Sequence, residues 1–337
     1  MQYLIEDVKN KGLGVTSLRI LQPGETIIID KPYVATILEL DATNCVLACS
    51  HCVRPIEIEV HNELNYDLYG GNIKCELACG AMFCCDECFK KGHFCPCASS
   101  AHASVVSDPL WQSTRFRLFC IVLAHHVASS ANSDLLLFLN SLVAPPLRTA
   151  SELASSEVQK AFLSYTQNAI SSLRVALGVD ADRTSPLSEL VTPEGYARFW
   201  RICGGNLQSI VHPAVLSLLS ETEQNQINKS LNIEQLFSSV PVDMLVTPTV
   251  GTGLFAVLCR INHSCDPNAE FKAVHSATDG PAEVAAVATR TILPGQEICV
   301  NYLDTNGVTK TPCSELLERY GFNCKCVVEM SNEINNL

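Results

Sequence analysis

Charge is scarce in this sequence, and positive charge is scarcest. Asp, Glu, Lys and Arg make up 17% of the 337 residues, and 35 acidic side chains against 23 Lys and Arg leave a formal net charge of −12. A protein with that balance does not bind nucleic acid by neutralising phosphates, so we exclude a direct nucleic-acid partner. The acidic surface either only keeps the protein in solution or suits a cationic partner, such as a Lys-rich or Arg-rich protein segment.

Long apolar runs are missing as well. The most apolar helical stretch, LFCIVLA at 118–124, lies between Arg117 and His125 and is too short to span a bilayer. The opening MQYLIEDVKN has acidic residues and lacks the apolar core of a signal peptide. No basic targeting cluster or internal repeat is found, while 47% hydrophobic residues supply a core. We expect a folded protein of the cytoplasm, the nucleus or both, with no membrane partner.

Cysteine, by contrast, is abundant and unevenly distributed. Ten of the 18 cysteines lie between Cys45 and Cys97. In a reducing compartment, clustered cysteines hold metal more often than they form disulfides. Free or redox-active thiols are the alternative. The paired candidate ligands in this segment are Cys49-x2-Cys52, Cys75-x3-Cys79, Cys85-x2-Cys88 and His93-x3-Cys97.

These four pairs fit two tetrahedral zinc ions, because two ligands in a tight turn can bind one metal while nearby backbone N–H groups hold the thiolates. Interleaved fingers usually join the first pair to the third and the second to the fourth. The predicted sets are Cys49, Cys52, Cys85 and Cys88 on one zinc, and Cys75, Cys79, His93 and Cys97 on the other. Cys45, Cys84 and Cys95 are then left over. Few apolar residues lie in this segment, so its folding should depend on metal.

The rest of the chain alternates between strand and helix patterns. Alternation predicts strands at TIIID (26–30) and YVATILEL (33–40). Helical spacing recurs between 109 and 240, where Thr192-Pro193 marks a helix start. From 251 the short strand patterns GTGLFAVLC, AEFKAV, AEVAAVA and EICVNYL follow. The sequence therefore predicts a mixed β/α fold that ends in a short cysteine-containing tail.

Separate motifs resemble one family. KGLGVTSLRILQPGETIIIDKPYVA (11–35) is similar to the opening strands of a SET domain, and RINHSCDPNAEF (260–271) and PGQEICVNYLD (294–304) resemble its core. Cys85-x2-Cys88 followed by His93-x3-Cys97 resembles a MYND-type zinc finger. A MYND finger inserted into a split SET domain is the arrangement of the SMYD family of protein lysine methyltransferases.

The resemblance implies a SET-domain β-fold, with short twisted sheets and a knot-like C-terminal core, that carries an inserted MYND zinc finger and a helical insert. The implied segments are a SET N-terminal part (1–44), a MYND finger (45–97), a helical linker and SET insert (98–250), a SET catalytic core (251–310) and a post-SET zinc tail (311–337). Only 11 residues follow Cys326, so the helical-repeat C-terminal domain of other members is not expected.

The same resemblance implies a pocket for S-adenosylmethionine. Lys11, Gly12 and Leu13 would lie against the methionine end of the cofactor. Family members often carry a basic residue where Leu13 stands, so its contact would be through backbone only. Asn206, in GGNLQSI, would also contact the cofactor; its alternative is a helix C-terminus after two glycines.

The segment NHSC and the tail complete the implied site. Alone, the histidine would be read as a core residue, and a Cys–His nucleophile pair would need partners close in space. The resemblance instead makes Asn262 and His263 cofactor contacts. It makes Cys265 a ligand of a third zinc, with Cys324 and Cys326. The family tail has a third cysteine where this chain has Glu329, so Glu329 or Cys313 completes the site or the site is empty.

The implied catalytic residues are tyrosines. Tyr302 matches the catalytic tyrosine, Tyr320 the second tyrosine, also at the cofactor, and Phe322 the cofactor-binding aromatic that closes the site. Core packing is the alternative for any single tyrosine. The implied reaction is in-line displacement of a methyl group by a neutral lysine amine, without a His or carboxylate base and with structural zinc only.

Substrates and partners follow from the resemblance in outline only. Histones or other basic proteins, such as ribosomal ones, are the implied substrates, and the MYND finger would bind a short peptide motif. We expect a monomer. The alternative is a catalytically inactive SET/MYND peptide-binding module. A zinc hydrolase would need an open, His-rich metal site, which the nine histidines do not form.

Overall fold

The structure is a computed structural model, and it divides into two compact units. It describes residues 2–37, 46–60, 64–67, 73–75, 81–93, 104–105, 107–128, 134–144, 156–179, 187–211, 249–274, 282–303, 316–317 and 320–324. One unit, here called the split unit, joins Met1–Tyr33 to Gln208–Leu337. The other, the inserted unit, is Val34–Leu207. Two distant parts of the sequence therefore fold together around a long insertion.

The split unit is built from small sheets. Its strands are β1 (Tyr3–Val8), β2 (Gly12–Ser17), β3 (Thr26–Asp30), β10 (Gln208–Val211), β11 (Thr249–Phe255), β12 (Asn262–His263), β13 (Ala269–Ala273), β14 (Val284–Ala288) and β15 (Glu297–Val300), and β4 (Pro32–Ile37) begins at its border. One sheet has the order β1-β2-β15-β12, and another has the order β13-β14-β3. Strand β14 is buried along its whole length between two neighbours, as its unbroken Val and Ala sequence requires.

The inserted unit holds the cysteine-rich segment and the helices. Its strands are β5 (Val46–Ala48), β6 (Pro55–Val60), β7 (Leu64–Asp67), β8 (Ile73–Lys74) and β9 (Met82–Phe83). Its helices are α1 (Asp86–Gly92), α2 (Thr114–Ala128), α3 (Asp134–Ser141), α4 (Ser156–Ala176), α5 (Leu187–Leu190) and α6 (Pro193–Asn206). Short 3-10 turns occur at Pro109–Gln112 here and at Leu258–Arg260 in the split unit. Among the described residues no helix is long and apolar enough to cross a membrane.

Helix α6 illustrates how local sequence sets an element. Thr192 is its N-cap, and the Thr192 hydroxyl accepts a hydrogen bond from the Gly195 N–H at 2.9 Å, with Pro193 at the first helical position. Tyr196 and Phe199 recur three residues apart on its buried face. Tyr196 meets Phe116 of α2 edge to face, with ring centroids 5.5 Å apart. The predicted helix start is therefore confirmed, and its apolar face packs the helical core.

The mixed β/α fold class is confirmed, and most predicted elements appear within a few residues of their predicted bounds. The strand predicted at 26–30 is β3. The strand predicted at 33–40 is β4, described to Ile37. The pattern GTGLFAVLC predicts one strand, but β11 ends at Phe255 and a turn leads into the 3-10 segment. Asp30 explains that turn, because its carboxylate accepts the N–H groups of Val257 and Leu258.

Candidate active site and metal centres

Four cysteine side chains of the inserted unit converge on one point. The sulfurs of Cys49, Cys52, Cys84 and Cys88 all lie within 4.8 Å of one another. The Cys52–Cys84 and Cys84–Cys88 sulfur distances are 3.8 and 3.6 Å. Four thiolates at about 2.3 Å from a tetrahedral zinc would stand about 3.8 Å apart. The donor set and its spacing therefore fit a structural zinc ion.

The surroundings of the cluster lower the pKa of one thiol, that of Cys49, whereas burial and the neighbouring sulfurs raise the pKa of Cys52, Cys84 and Cys88. The pKa of Cys49 is lowered to about 4, first by a hydrogen bond from the Cys52 thiol and then by backbone N–H groups that include those of Cys52 and Cys84. Zinc is bound by thiolate, not thiol. Phe83 and Ile56 pack against the cluster in a small core of their own. The convergence of four sulfurs over this small core, rather than the acidity of any single thiol, is what fits a metal centre.

The predicted ligand set for this first metal needs one correction. We predicted Cys85, but the structure brings Cys84 into the group of four, and Cys85 is exposed. Cys85 is the N-cap residue of α1 and has extended backbone, whereas Cys84 is 8% exposed and part of the small core. The spacing to Cys88 is therefore x3 rather than x2. The Cys85 sulfur lies 3.9 Å from that of Cys84, beside the group of four but outside it.

The second predicted metal site is described in part. Nε2 of His93 lies 3.0 Å from the sulfur of Cys75, so these two predicted ligands do come together. The His93 ring stacks on Phe89, with centroids 4.7 Å apart. Cys79 and Cys97, the other two predicted ligands, lie outside the described residues. The described half of this site agrees with the predicted pairing.

Cys265 of the NHSC segment lies beside Cys324 of the tail. The sulfurs of Cys265 and Cys324 are 3.7 Å apart, which again suits a shared tetrahedral zinc, and His263 lies in the same group. Cys326, Glu329 and Cys313 lie outside the described residues. The predicted association of Cys265 with Cys324 across 59 positions is present in the structure.

His263 connects this metal centre to the tyrosines. Its Nδ1 accepts the backbone N–H of Tyr302 at 3.0 Å, and its Nε2 lies 3.2 Å from the Cys265 sulfur. Burial, and then the charge of Lys11, lower the pKa of His263 to about 4, so the ring is neutral at pH 7. Because Nδ1 is an acceptor, the single ring proton is on Nε2, where it points at the sulfur. The Nε2 atom of His263 therefore faces the Cys265 sulfur, and His263 belongs with Cys265 and Cys324 to one group of potential metal ligands.

Three aromatic side chains pack around the end of β15. Tyr302 and Tyr320 have ring centroids 4.8 Å apart, and Phe322 lies 6.3 and 6.4 Å from them. The Tyr302 hydroxyl donates to the carbonyl of Ile261 at 2.7 Å. Burial, and then Tyr320, raise the pKa of Tyr302 well above its usual value. The predicted aromatic residues do come together, and Tyr302 is held as a phenol with oxygen lone pairs remaining.

A cluster of polar contacts, here called the pocket, lies on the β1-β2-β15-β12 sheet. Nζ of Lys11 is 2.7 Å from one oxygen of Glu297, and the Asn262 amide donates to the other at 2.9 Å. The Asn262 amide also donates to the carbonyl of Leu13 at 3.2 Å, so Leu13 contributes through its backbone while its side chain is exposed. Gly12 has φ +76° and would have nothing within 4 Å of an added Cβ. The predicted pocket residues Lys11, Gly12, Leu13 and Asn262 are thus adjacent.

Asn206 has different surroundings from those predicted. It is the last residue of α6, and its amide donates to the carbonyls of Ile202 and Val143 at 2.8 and 2.9 Å. Both amide N–H groups are therefore used within the inserted unit, in agreement with the helix-end alternative. A cofactor contact by Asn206 stays a prediction.

Sequence reasoning missed three residues of these sites. Cys84 was left over because it stands beside Cys85 in a run of two cysteines. Glu297 and Asn268 carry no pattern of their own. Asn268 is buried, with its amide donating to the Glu297 carbonyl at 2.8 Å and accepting the Cys299 N–H at 2.8 Å. Its position after Pro267, in the quoted NHSCDPN motif, was the available clue.

Comparison with known proteins agrees with this geometry. The curated relatives include the protein-lysine N-trimethyltransferase SMYD5 of Mus musculus, 26% identical over 369 residues that cover 96% of this chain and 84% of that protein. The Danio rerio protein of that name is 27% identical over 94% and 84%. The SET domain and MYND-type zinc finger protein 6 of Schizosaccharomyces pombe is 31% identical over 34% and 23%. The predicted resemblance to the SMYD family is confirmed.

A solved structure and a family model complete the comparison. The crystal structure of the SET domain of LSMT bound to lysine and AdoHcy matches with a TM-score of 0.41 and 12% identity, covering 96% of this chain and 53% of that chain. This chain thus spans about half the length of that structure, and a likeness so distant says nothing about ligands. The family model described as SET domain matches residues 12–303. Because that match takes in both parts of the split unit and most of the sequence, the chain belongs to the SET-domain family.

Proposed function

We propose that this SET-family chain is an S-adenosylmethionine-dependent protein-lysine N-methyltransferase. The observation that carries the proposal is that the Tyr302–Tyr320 pair and the Lys11–Asn262 pocket are built on the same short NHSC–β15 framework. Relatives similar over 94–96% of the chain bear the name protein-lysine N-trimethyltransferase. We propose a Lys-containing basic segment of a protein, such as a histone or a ribosomal protein, as the substrate.

The pocket residues fit the amino-acid end of S-adenosylmethionine. Lys11 supplies a cation for a carboxylate, and the Asn262 side-chain oxygen is available to an ammonium group because both its N–H groups are bound to protein. Gly12 leaves space where another residue would carry a side chain. The bound cofactor supplies a methyl group on a positively charged sulfur, which a neutral amine can take by displacement.

The tyrosines would desolvate and orient the amine of the substrate lysine. A free lysine titrates near ~10.4 and must lose its proton before it can attack. Enclosure by the Tyr302, Tyr320 and Phe322 rings would remove water from the ammonium group, which lowers its pKa and favours proton loss to solvent. Tyr302 remains a phenol, and its hydroxyl proton is held by Ile261. Its oxygen lone pairs can orient the amine, so alignment rather than proton abstraction is the contribution of Tyr302.

The zinc sites would be structural in this scheme. Cys49, Cys52, Cys84 and Cys88 form a complete set of four, which leaves no open position for a metal-bound water. We propose that a short peptide motif binds at this finger. No cysteine within the described ranges forms a disulfide, which supports placing the protein in the reducing cytoplasm, the nucleus or both.

Two measurements, made one after the other, test the proposed function. Calorimetric titration of the zinc-replete protein with S-adenosylmethionine should give saturable one-to-one binding that Asn262→Ala weakens. Incubation with labelled cofactor and histone or ribosomal protein fractions should then label lysines. Cofactor binding without transfer to any basic protein would leave the substrate class unsupported. No binding by folded, zinc-loaded protein would favour the peptide-binding module without catalysis.

A further inference from the structure

Glu297 lies between Lys11 and Asn262 and contacts both. Its side chain is 17% exposed, and its two carboxylate oxygens serve two different partners. One oxygen is 2.7 Å from Nζ of Lys11, and the other accepts a hydrogen bond from the Asn262 amide at 2.9 Å. Lys11 comes from the β1–β2 turn and Asn262 from β12, so a single carboxylate of β15 ties together both sides of the sheet.

The carboxylate determines which way the Asn262 amide faces. A carboxylate only accepts hydrogen bonds, so the NH2 group of Asn262 must face Glu297, with its second N–H directed to the carbonyl of Leu13. The Asn262 oxygen is then the group left for a ligand. The arrangement is tightly packed, since a Cβ on Gly14 would stand 2.8 Å from the Asn262 amide nitrogen and 3.1 Å from the Glu297 oxygen. Asn262 is therefore preorganised as an acceptor.

The same carboxylate fixes the charge and place of Lys11. Burial lowers the pKa of Lys11, but the hydrogen bond to Glu297 and neighbouring charges outweigh it and raise the pKa, which keeps the ammonium charged. Lys11 and the Asn262 oxygen then form a pair of opposite polarity. An amino-acid head group, with one ammonium and one carboxylate, is the ligand that matches such a pair.

We propose that Glu297 is a positioning residue that makes the pocket selective for a ligand bearing a free amino-acid group, and that it acts through Asn262 and Lys11. The inference rests on the proposed function, because it concerns the methionine end of the same cofactor. Gln at this position would offer one oxygen and one NH2 group in place of two oxygens. It could serve Asn262 or Lys11, but not both.

The test compares two nucleoside ligands. S-adenosylhomocysteine carries the amino-acid group, and 5′-methylthioadenosine lacks it. A hydrogen bond to a charged group is worth roughly 1.5–3 kcal/mol, so Glu297→Ala should weaken S-adenosylhomocysteine binding by about 10- to 100-fold. Binding of 5′-methylthioadenosine should stay unchanged, which also demonstrates that the pocket is folded. Glu297→Gln should also weaken binding of S-adenosylhomocysteine.

Controls separate positioning from general damage. Glu6→Ala removes another carboxylate of the same sheet, which accepts a hydrogen bond from Thr16, and should leave both affinities unchanged. In Asn262→Ala protein, adding Glu297→Ala should weaken S-adenosylhomocysteine binding much less than it does in the wild type. Two substitutions that remove the same contact do not have additive effects. Equal loss of both ligands in Glu297→Ala, or full retention of S-adenosylhomocysteine, would overturn the proposal. Failure of wild-type protein to bind either ligand would instead reject the methyltransferase function.

Discussion

Hydrogen bonds hold Tyr302 at its backbone N–H and at its hydroxyl group. Its backbone N–H donates to Nδ1 of His263, and its hydroxyl donates to the carbonyl of Ile261. These two hydrogen bonds fix the ring beside Tyr320. A phenol held in this way is suited to orienting a substrate amine and unsuited to removing its proton.

Replacing Tyr302 by Phe should therefore impair catalysis more than binding. Loss of one preorganised polar contact to a reacting group typically costs roughly 10²- to 10³-fold in rate. We expect a fall of that order in methyl transfer, with zinc content and S-adenosylmethionine affinity unchanged. Labelled methyl transfer and calorimetry measure the two quantities. Tyr165→Phe, on the exposed surface of α4, is the matched control; full activity in Tyr302→Phe would remove Tyr302 from the catalytic role.

His263 should make the split unit sensitive to acid. Its folded-state pKa of about 4 lies below the value of about 6.5 for an unfolded histidine. The unfolded state therefore binds more protons between these values, and the free energy of unfolding falls as pH drops from 6.5 towards 4. The full loss in the free energy of unfolding, reached near pH 4, is on the order of 3 kcal/mol.

NMR of ring-labelled histidine should show that His263 stays neutral at pH 5.5, where exposed histidines are charged. Denaturant unfolding at pH 7 and 5.5 should show a smaller pH effect in His263→Gln, whose side chain does not titrate. A His263 midpoint near 6.5 would contradict the burial argument.

At the scale of elements, the zinc finger shows how a helix start selects its ligands. Helix α1 begins at Asp86, directly after the extended N-cap Cys85, and carries Cys88 in its first turn. Cys84 precedes the cap and reaches the same cluster. Nearby, Val53 has φ +59°, a conformation that costs a β-branched residue about 1–3 kcal/mol. Metal binding by the flanking thiolates can offset such a cost.

Cys84→Ser and Cys85→Ser should behave differently, although the residues are neighbours. Cys84→Ser removes one of four converging sulfurs, and we expect loss of one zinc ion per chain and of thermal stability. Cys85→Ser changes an exposed thiol and should leave metal content unchanged. Zinc per protein, measured by atomic spectroscopy on both variants, decides between the two residues. Loss of zinc only in Cys85→Ser would restore the x2 spacing read from sequence.

At the scale of the whole molecule, acidity and the proposed basic substrate make a joint prediction. The net charge of −12 should attract a Lys-rich segment at low salt, and the Debye length shortens from about 10 Å at 0.1 M to about 3 Å at 1 M. We expect KM for a basic protein substrate to rise with salt while kcat changes little. Affinity for S-adenosylmethionine over the same range is the control. A salt-independent KM would argue against a cationic substrate segment.

Sequence by itself determined the local chemistry of this protein. Thr192-Pro193 starts a helix, the alternation at 26–30 forms a strand, and short Cys spacings predict metal, because each depends on residues a few positions apart. The resemblance of NHSC and CVNYLD to SET motifs also placed Asn262, His263 and Tyr302 at one site. The domain boundaries at 44, 97, 250 and 310 stay predictions, since two compact units alone do not test them.

Tertiary structure alone decided which neighbours meet. The choice of Cys84 over Cys85 depends on the backbone angle before α1, which spacing does not contain. The role of Glu297 depends on contacts with Lys11 and Asn262, 286 and 35 positions away in the chain. The proton on Nε2 of His263 follows from a backbone N–H 39 positions away. Such pairings are set by how sheets and loops close in space, and a linear pattern of residue types carries no record of them.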